Sequence, residues 1–391
     1  MRLPFRDYHT VSFLEQWWPL PCSEPAKQPL DKALFLYFKE NKAIGSKDRQ
    51  EIAQNIYILI RWRHKLSALL DLEIQNEERR WKDYLFKSRD LDLERSFSRL
   101  TDAQNVSFPE SLYQLFMGSL GKEKAFSVAL TCNRAAPVFL RVNTLKTSRS
   151  DLLKELPQEW QAKEGPLEDS IILEKRVSLF QSTWFKEGYF EMQDLSSQQA
   201  ADLVRPKVGD HVLDFCAGSG GKSLSIACKM KGKGQLYLHD VRPWALEEAR
   251  ERLRRAGVQN FQLLLPQSPQ EKKLKQKMDW VLVDAPCSGS GTLRRNPDMK
   301  EKITLQSIKE LVSLQRTIFE KALSFVKEGG YIVYATCSLL KAENDDQQAH
   351  FLKTYSLKQV GEPLHLLVQD GAGDGFFALV FQKQITPKNS N

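Results

Sequence analysis

Cysteine is scarce in this chain. There are six among 391 residues, at positions 22, 132, 216, 228, 287 and 337, and no two form a Cys-x-x-Cys pair. That pattern excludes a zinc ribbon and is too sparse for a disulfide scaffold, which fits a reducing cytoplasm. Histidine is as rare, again six, and no ligand spacing joins it to cysteine, so no metal is expected. No apolar run reaches membrane-spanning length, and the opening Met-Arg-Leu-Pro-Phe-Arg-Asp lacks the apolar core of a secretion signal. Internal repeats and extended low-complexity tracts are missing too. A cytoplasmic monomer without a membrane partner is expected. In excess is positive charge: 57 Lys and Arg against 49 Asp and Glu, a net +8. Basic side chains displace counterions from phosphates, so the excess favours a polyanionic partner, although solubility alone explains it as well.

The length predicts two or three domains. Residues 1 to about 28 are aromatic and proline-rich (Trp17-Trp18-Pro19, Pro21, Pro25) and read as an irregular arm. From about 30 the pattern turns helical, with apolar side chains at three- and four-residue steps in Ile52, Ile56, Tyr57, Leu59 and Ile60. Residues 1–130 are therefore expected to be an arm and an all-helical domain. Its basic and aromatic stretch Arg61-Trp-Arg63-His-Lys65 suits either a solvated face or an RNA backbone, and RNA contact by Arg61 and Arg63 is favoured. Residues 131–200 read as a small α+β module, with strands near 137–142, 170–173 and 190–192 and a helix capped by Ser148. Over 201–385 strands alternate with helices, which predicts a doubly wound, mostly parallel sheet. Runs at 364–368 and 375–381 flank a glycine turn and should close that sheet with an antiparallel hairpin. Residues 386–391 are left as a tail.

Within that sheet, His211-Val-Leu-Asp214-Phe-Cys216-Ala217-Gly218-Ser219-Gly220-Gly221-Lys222-Ser223 reads as strand, glycine loop and helix start. Glycines let backbone pass close under a ligand, and a helix N-terminus offers free N–H groups. A phosphate loop of the GxxxxGK[ST] type fails because Cys216 stands at its first glycine; a GxGxxG dinucleotide loop fails because Ser223 stands at its last. An S-adenosylmethionine loop survives, with Asp214 facing the ligand's amino-acid end. The next strand ends in Asp240, placed to accept both ribose hydroxyls or else to cap the helix that follows.

Two further strands end abruptly in small residues and a cysteine: Val281-Leu-Val-Asp284-Ala-Pro-Cys287-Ser and Val333-Tyr-Ala-Thr336-Cys337-Ser338. In open α/β sheets the chemistry collects at strand carboxyl ends. Two thiols on one rim suit an activated thiolate, which needs nearby positive charge, with Lys222, Arg294 and Arg295 as candidates.

These segments, with Asp284-Ala-Pro-Cys287-Ser-Gly-Ser-Gly-Thr292-Leu-Arg-Arg-Asn-Pro-Asp298, Glu343-Asn344, Gln193-Asp-Leu-Ser-Ser197 and Asp374-Gly-Phe-Phe377, resemble the Sun/Nop (RsmB-like) family of RNA cytosine-5 methyltransferases over roughly residues 137–381. Asp48-Arg49 before Tyr57-Ile-Leu-Ile-Arg61 more weakly resembles a NusB-like RNA-binding domain. The resemblance implies a Rossmann-like class I methyltransferase domain with a seven-stranded sheet. It implies Cys337 as the attacker of cytosine C6, Cys287 as the residue that assists release, Asp284 against the cytosine edge, and Lys222 orienting the base. It also implies S-adenosylmethionine on Asp214, Cys216, Ala217, Gly218, Ser219, Gly220, Gly221, Lys222, Asp240 and Asp284, and RNA on Arg294 and Arg295. Residues alone do not order the two cysteines. Two departures stand out: Gly218-Ser219 replaces the usual Ala-Pro, predicting a looser loop, and no acid follows the strand at Phe261, leaving adenine to backbone groups or Gln267. The expected activity is methylation of cytosine C5 in RNA, most simply ribosomal RNA. Rivals are a tRNA or DNA cytosine methyltransferase, and a ribosome-assembly factor that only binds RNA.

Overall fold

The structure, a computed structural model, describes residues 3–20, 26, 28–73 and 80–385. Cys22, Pro21, Pro25 and the tail at 386–391 lie outside them. The chain divides into two compact units, Met1–Ala135 with Thr292–Ser307, and Ala136–Gly291 with Ile308–Asn391.

The described residues of the first unit form helices and no strand. The principal ones are Phe5–Trp17, Leu30–Glu40, Ser46–Arg61, Arg63–Glu73, Trp81–Arg89, Glu110–Leu120 and Lys122–Thr131. Apolar faces such as Ile52, Ile56 and Leu59 close on Leu14, Leu66 and Trp81 to make its core. The irregular arm expected over 1–28 is instead helical from Phe5 to Trp17, with Val11, Phe13 and Leu14 buried and Asp7 paired to Arg89 at 2.6 Å. The prolines misled because they flank this helix, Pro4 at its N-cap and Pro19 just past its end, where proline is tolerated.

Residues 292–307 belong to this unit. Lys300, 1% exposed, donates to Arg61 O and Ser107 O at 2.9 Å and to Asn133 Oδ1 at 2.5 Å, and burial pushes its pKa down to about 7. Burial would raise Glu301, but His64 and Arg63, at 2.5 and 2.9 Å, hold it at about 2.

The second unit opens with β1 (Val138–Val142), β2 (Ala162–Glu164), β3 (Ser170–Leu173) and β4 (Phe190–Met192), an antiparallel sheet in the order β2-β3-β1-β4. The boundary expected at 200 falls inside the helix Leu195–Asp202, whose first turn is held by Asp194 Oδ1 accepting from Ser196 N at 2.9 Å. Then follow β5 (His211–Asp214), β6 (Gln235–His239), β7 (Phe261–Leu264), β8 (Met278–Asp284), β9 (Val326–Thr336), β10 (Leu357–Leu366) and β11 (Phe376–Lys383). They form one sheet in the order β10-β11-β9-β8-β5-β6-β7, parallel from β9 to β7 and antiparallel at β9–β11–β10. This is the Rossmann-like sheet with a closing hairpin that the sequence predicts, the hairpin strands being longer than expected.

Side chains of alternate residues supply the two faces. Leu213, Val281, Val283, Ile332 and Tyr334 pack with Phe319, Phe351 and Phe381, while Val212, Leu236, Leu282 and Val333 pack with Leu224, Leu246 and Leu253. Strand succession reverses at β5, since β6 and β7 lie to one side and β8 and β9 to the other. A crevice therefore opens at the carboxyl ends of β5 and β8. No helix among the described residues is long and apolar enough to cross a membrane.

Candidate active site

The β8–β9 pairing sets Asp284 against Ala335, so the two strands end level. Ala285 N then donates to Ala335 O at 2.8 Å, and the chains turn outward together. Cys287 and Cys337 leave them as half-buried side chains, Cys287 between exposed Pro286 and buried Ser288 and Cys337 between buried Thr336 and Ser338. Their sulfurs lie 3.3 Å apart, although fifty residues separate them in sequence. The Cys337 hydrogen bond, then burial, pushes the Cys287 thiol well above its usual range, and the charges of Cys337 and Glu343 add to this.

Lys222, the second residue of the helix Gly221–Met230, reaches Asp284 Oδ2 at 2.5 Å, its ammonium 4.9 Å from the Phe376 ring centre. Burial opposes its charge, but Asp284's field and hydrogen bond outweigh it, with Cys337 and Asp214 adding, so its pKa is raised. A cation is thus held beside the thiol pair.

The loop from Cys216 to Gly221 runs under the crevice. Gly218 and Gly220 take φ of 52° and 81°, left-handed values open to glycine at little cost. At Gly220 a Cβ would also press on Ala249 at 3.0 Å. Asp214 is 1% exposed; its Oδ2 accepts from Ser223 at 2.7 Å, while Oδ1 finds no hydrogen-bond partner among the described residues. Burial raises its pKa to about 7, opposed by the Ser223 hydrogen bond. Burial first, then Asp214, Asp284 and Asp240, raises the Cys216 thiol. Backbone contacts tie the loop to its neighbours, Phe215 N to Leu282 O at 2.8 Å and Ala217 N to His239 O at 2.9 Å.

Asp240 does not cap the following helix, whose N-cap position is Arg242. Its Oδ1 accepts from Arg242 N and Nε and its Oδ2 from Arg242 Nη2 and Gly218 N, all at 2.9 Å. Gln267 lies exposed on the turn after β7 with φ of 61°, its N–H given to Glu271.

Ser219, expected to loosen the loop, is clasped. Arg252 Nη1 donates to Ser219 O and Oγ at 2.9 and 2.8 Å, while its Nη2 reaches Glu191 on β4 at 2.9 Å; Arg255 holds the other Glu191 oxygen at 2.5 Å. If this loop holds the S-adenosyl cofactor the sequence points to, Arg252→Ala should weaken S-adenosylhomocysteine binding about tenfold, the equivalent of one or two hydrogen bonds' net worth. Calorimetric titration reads this; an unchanged dissociation constant would show that the clasp does nothing for the loop.

The remaining motifs are the frame of the thiol loops. Gly291 N donates to Cys337 O and Gly375 N to Gly291 O, both at 2.9 Å, and a Cβ on Gly291 would stand 2.2 Å from Gly375 O. Asp194 Oδ1 accepts from Asp374 N at 3.0 Å and Ser196 Oγ donates to Asp374 O at 2.7 Å. The Gln193–Ser197 and Asp374–Phe377 segments thereby brace one another.

The candidate RNA contacts differ in exposure. Arg61 is 8% exposed and gives Nη2 to Arg294 O at 2.7 Å, while Arg294 is 1% exposed. Arg63 lies 4.3 Å over the Trp18 ring and pairs with Glu301; Arg295 is half-buried. Arg61 and Arg294 are thus buried and joined to each other rather than exposed. Their sequence reads as a charged surface because burial of an arginine depends on tertiary acceptors that no local pattern displays. Glu343 and Arg252 went unnoticed as site residues for the same reason; only the Glu343-Asn344 motif hinted at the former. Among the described residues no group of three His, Cys, Asp or Glu could hold a metal ion.

Residues 201–391 match the family described as 16S rRNA methyltransferase RsmB/F, and residues 108–179 match its ferredoxin-like domain. A probable ribosomal RNA small subunit methyltransferase B of Synechocystis sp. is 34% identical over 263 residues, covering 66% of this chain and 59% of that protein. The chain thus spans about 59% of the length of this relative. A methyltransferase homologue from Pyrococcus horikoshii is 29% identical with a TM-score of 0.64, covering 74% of this chain and 100% of its own. The NSun6 protein of the same organism, solved with SFG, shares the fold at 22% identity and TM-score 0.65, over 71% of this chain and 99% of that one.

Proposed function

The chain belongs to the RsmB/F methyltransferase family, and on that premise we propose that it transfers a methyl group from S-adenosylmethionine to C5 of an RNA cytosine, with ribosomal RNA as substrate. The observation that carries this reading is the 3.3 Å approach of the Cys287 and Cys337 sulfurs beside the Lys222–Asp284 pair. Cytosine C5 is a weak nucleophile until something adds at C6. Cys337 Sγ adds there, forming an S–C6 bond and moving the ring's electron pair onto C5. Asp284 faces the N3 and N4 edge and stabilises its protonated form; Lys222 fixes that carboxylate and its cation favours the attacking thiolate. After methylation the C5 proton leaves to solvent, the C5–C6 double bond re-forms and Cys337 is expelled, with the Cys287 S–H donating to the departing sulfur. The target base is unstacked first, at a cost of a few kcal/mol.

The loop from Cys216 to Gly221, with Asp214, Asp240 and Asp284, suits the cofactor: its glycines allow close approach, and Asp214 Oδ1 is an acceptor left over for a cation. Backbone groups after β7 or Gln267 face adenine. Bound there, S-adenosylmethionine supplies the methyl group as an electrophile. The helical unit, NusB-like in its sequence, and the antiparallel module serve as RNA-binding parts, and Arg63 and Arg295 are their remaining candidate contacts.

The test is bisulfite mapping of ribosomal RNA from cells with and without the protein, followed by methylation of the unmodified RNA by the purified chain. One new 5-methylcytosine is expected. Methyl transfer confined to tRNA or DNA would move the substrate, and RNA binding without transfer would leave an assembly factor.

A further inference from the structure

Behind the two sulfurs lies a carboxylate that the chemistry above does not use. Glu343 is fully buried at the end of the short turn Lys341–Glu343. Its Oε1 accepts from Ser288 N and Gln315 Nε2, each at 2.9 Å, and its Oε2 accepts from the Ser288 and Ser338 hydroxyls, each at 2.5 Å. Ser288 follows Cys287 and Ser338 follows Cys337, so one side chain spans both thiol-bearing turns.

The surroundings are built for this bridge. The Glu343 carbonyl accepts from Tyr334 Oη at 2.9 Å, which pins its backbone to β9. Next to it, Asn344 Oδ1 accepts from Thr336 Oγ1 at 2.6 Å and Asn344 Nδ2 donates to Ser338 O at 2.9 Å, clasping the Cys337 turn. The four donors to the carboxylate are neutral, and a buried carboxylate is costly unless its donors are well fixed. Here they are aligned: Arg316 Nε donates to Gln347 Oε1, Gln347 Nε2 to Gln315 Oε1, and Gln315 Nε2 to Glu343, each at 2.9 Å. Every dipole in that chain points its positive end at the acid, an arrangement in which hydrogen bonds reinforce one another.

We propose that Glu343 is a positioning residue of the methyl transfer, a clamp that ties the Cys287 turn to the Cys337 turn and sets the separation at which both sulfurs reach one cytosine. The kinetic part of this rests on the function proposed above; the effect on the sulfurs does not. Its charge also adds to the causes that keep the Cys287 thiol protonated, after the Cys337 hydrogen bond and burial.

The experiment uses the full chain carrying Ser288→Ala and Ser338→Ala together, and separately Glu343→Ala and Glu343→Gln. The first readout is diamide oxidation, in which the two thiols each lose a proton and together two electrons, an S–S bond forms and the diazene is reduced to its hydrazine. The serine pair and Glu343→Ala should close the Cys287–Cys337 bond about tenfold more slowly than the unaltered chain, because small displacements of reacting atoms cost rate steeply. Glu343→Gln should lie within about threefold, since its carbonyl still accepts and its amide can donate to rotated hydroxyls. The second readout is methylation: kcat should fall about tenfold or more in the serine pair and Glu343→Ala, with KM for RNA and cofactor affinity unmoved, and recover in Glu343→Gln. If Glu343→Ala fails to fold, the serine pair and the glutamine variant decide the matter. Oxidation of the serine pair at the unaltered rate, or a glutamine variant no faster than the serine pair, overturns the clamp. Failure of the unaltered chain to methylate would instead sink the proposed function, while the oxidation rates would still judge Glu343.

Discussion

Cys337→Ala should lower RNA methylation by about a thousandfold or more, the scale of loss when a covalent nucleophile is removed. The neighbouring thiol does not take over. Removing Cys337 takes away the hydrogen bond that most raises the Cys287 thiol, but burial and the charge of Glu343 still push that thiol up. The carbon chemistry has no alternative route, because the C5 electron pair becomes available only after addition at C6. Cofactor binding should be unchanged, since Asp214 ends β5, Asp240 follows β6 and the Gly218–Gly221 turn follows β5, all away from β9. Single-turnover methylation with labelled cofactor checks the rate; activity within tenfold of the unaltered chain would remove Cys337 from the mechanism.

Cys287→Ala should behave in the opposite way, accumulating the covalent enzyme–RNA species that Cys337→Ala cannot form. Expulsion of Cys337 from C6 places negative charge on its sulfur, and the Cys287 S–H, 3.3 Å away, is the donor placed to stabilise it. Without that donor the addition and methylation still proceed while release slows by about a hundredfold or more, the usual worth of a positioned proton donor. A slowly migrating protein band on a denaturing gel, sensitive to ribonuclease, would report it. Normal turnover with no such band would show that Cys287 has no part in release.

The convergence of these thiols was legible in the chain because two β-branched runs each stop at a cysteine, and neighbouring parallel strands end level when their registers match, as Asp284 and Ala335 do. The glycine loop was legible for a similar reason, its Gly218 and Gly220 marking left-handed backbone before a helix. What stayed hidden depends on acceptors supplied from far along the chain. Arg61 looks like a surface cation until Arg294 O receives it, and Lys300 until three carbonyl oxygens surround it. The helix Phe5–Trp17 was masked by prolines that punctuate its ends, and its weak amphipathic pattern reflects buried Asp7 and Thr10 as well as apolar residues. Glu343 stands in a recognisable Glu-Asn motif, but nothing local reveals that its carboxylate meets both Ser288 and Ser338.

The central claim is that Cys337, and not Cys287, bonds to the base. Peptide mapping by mass spectrometry of the species trapped with RNA carrying 5-fluorocytosine, whose fluorine cannot leave as a proton does, tests it directly. The nucleotide should be found on the peptide that contains Cys337 alone. A nucleotide on the Cys287 peptide, or full methylation with no cysteine-linked species trapped, would contradict the account.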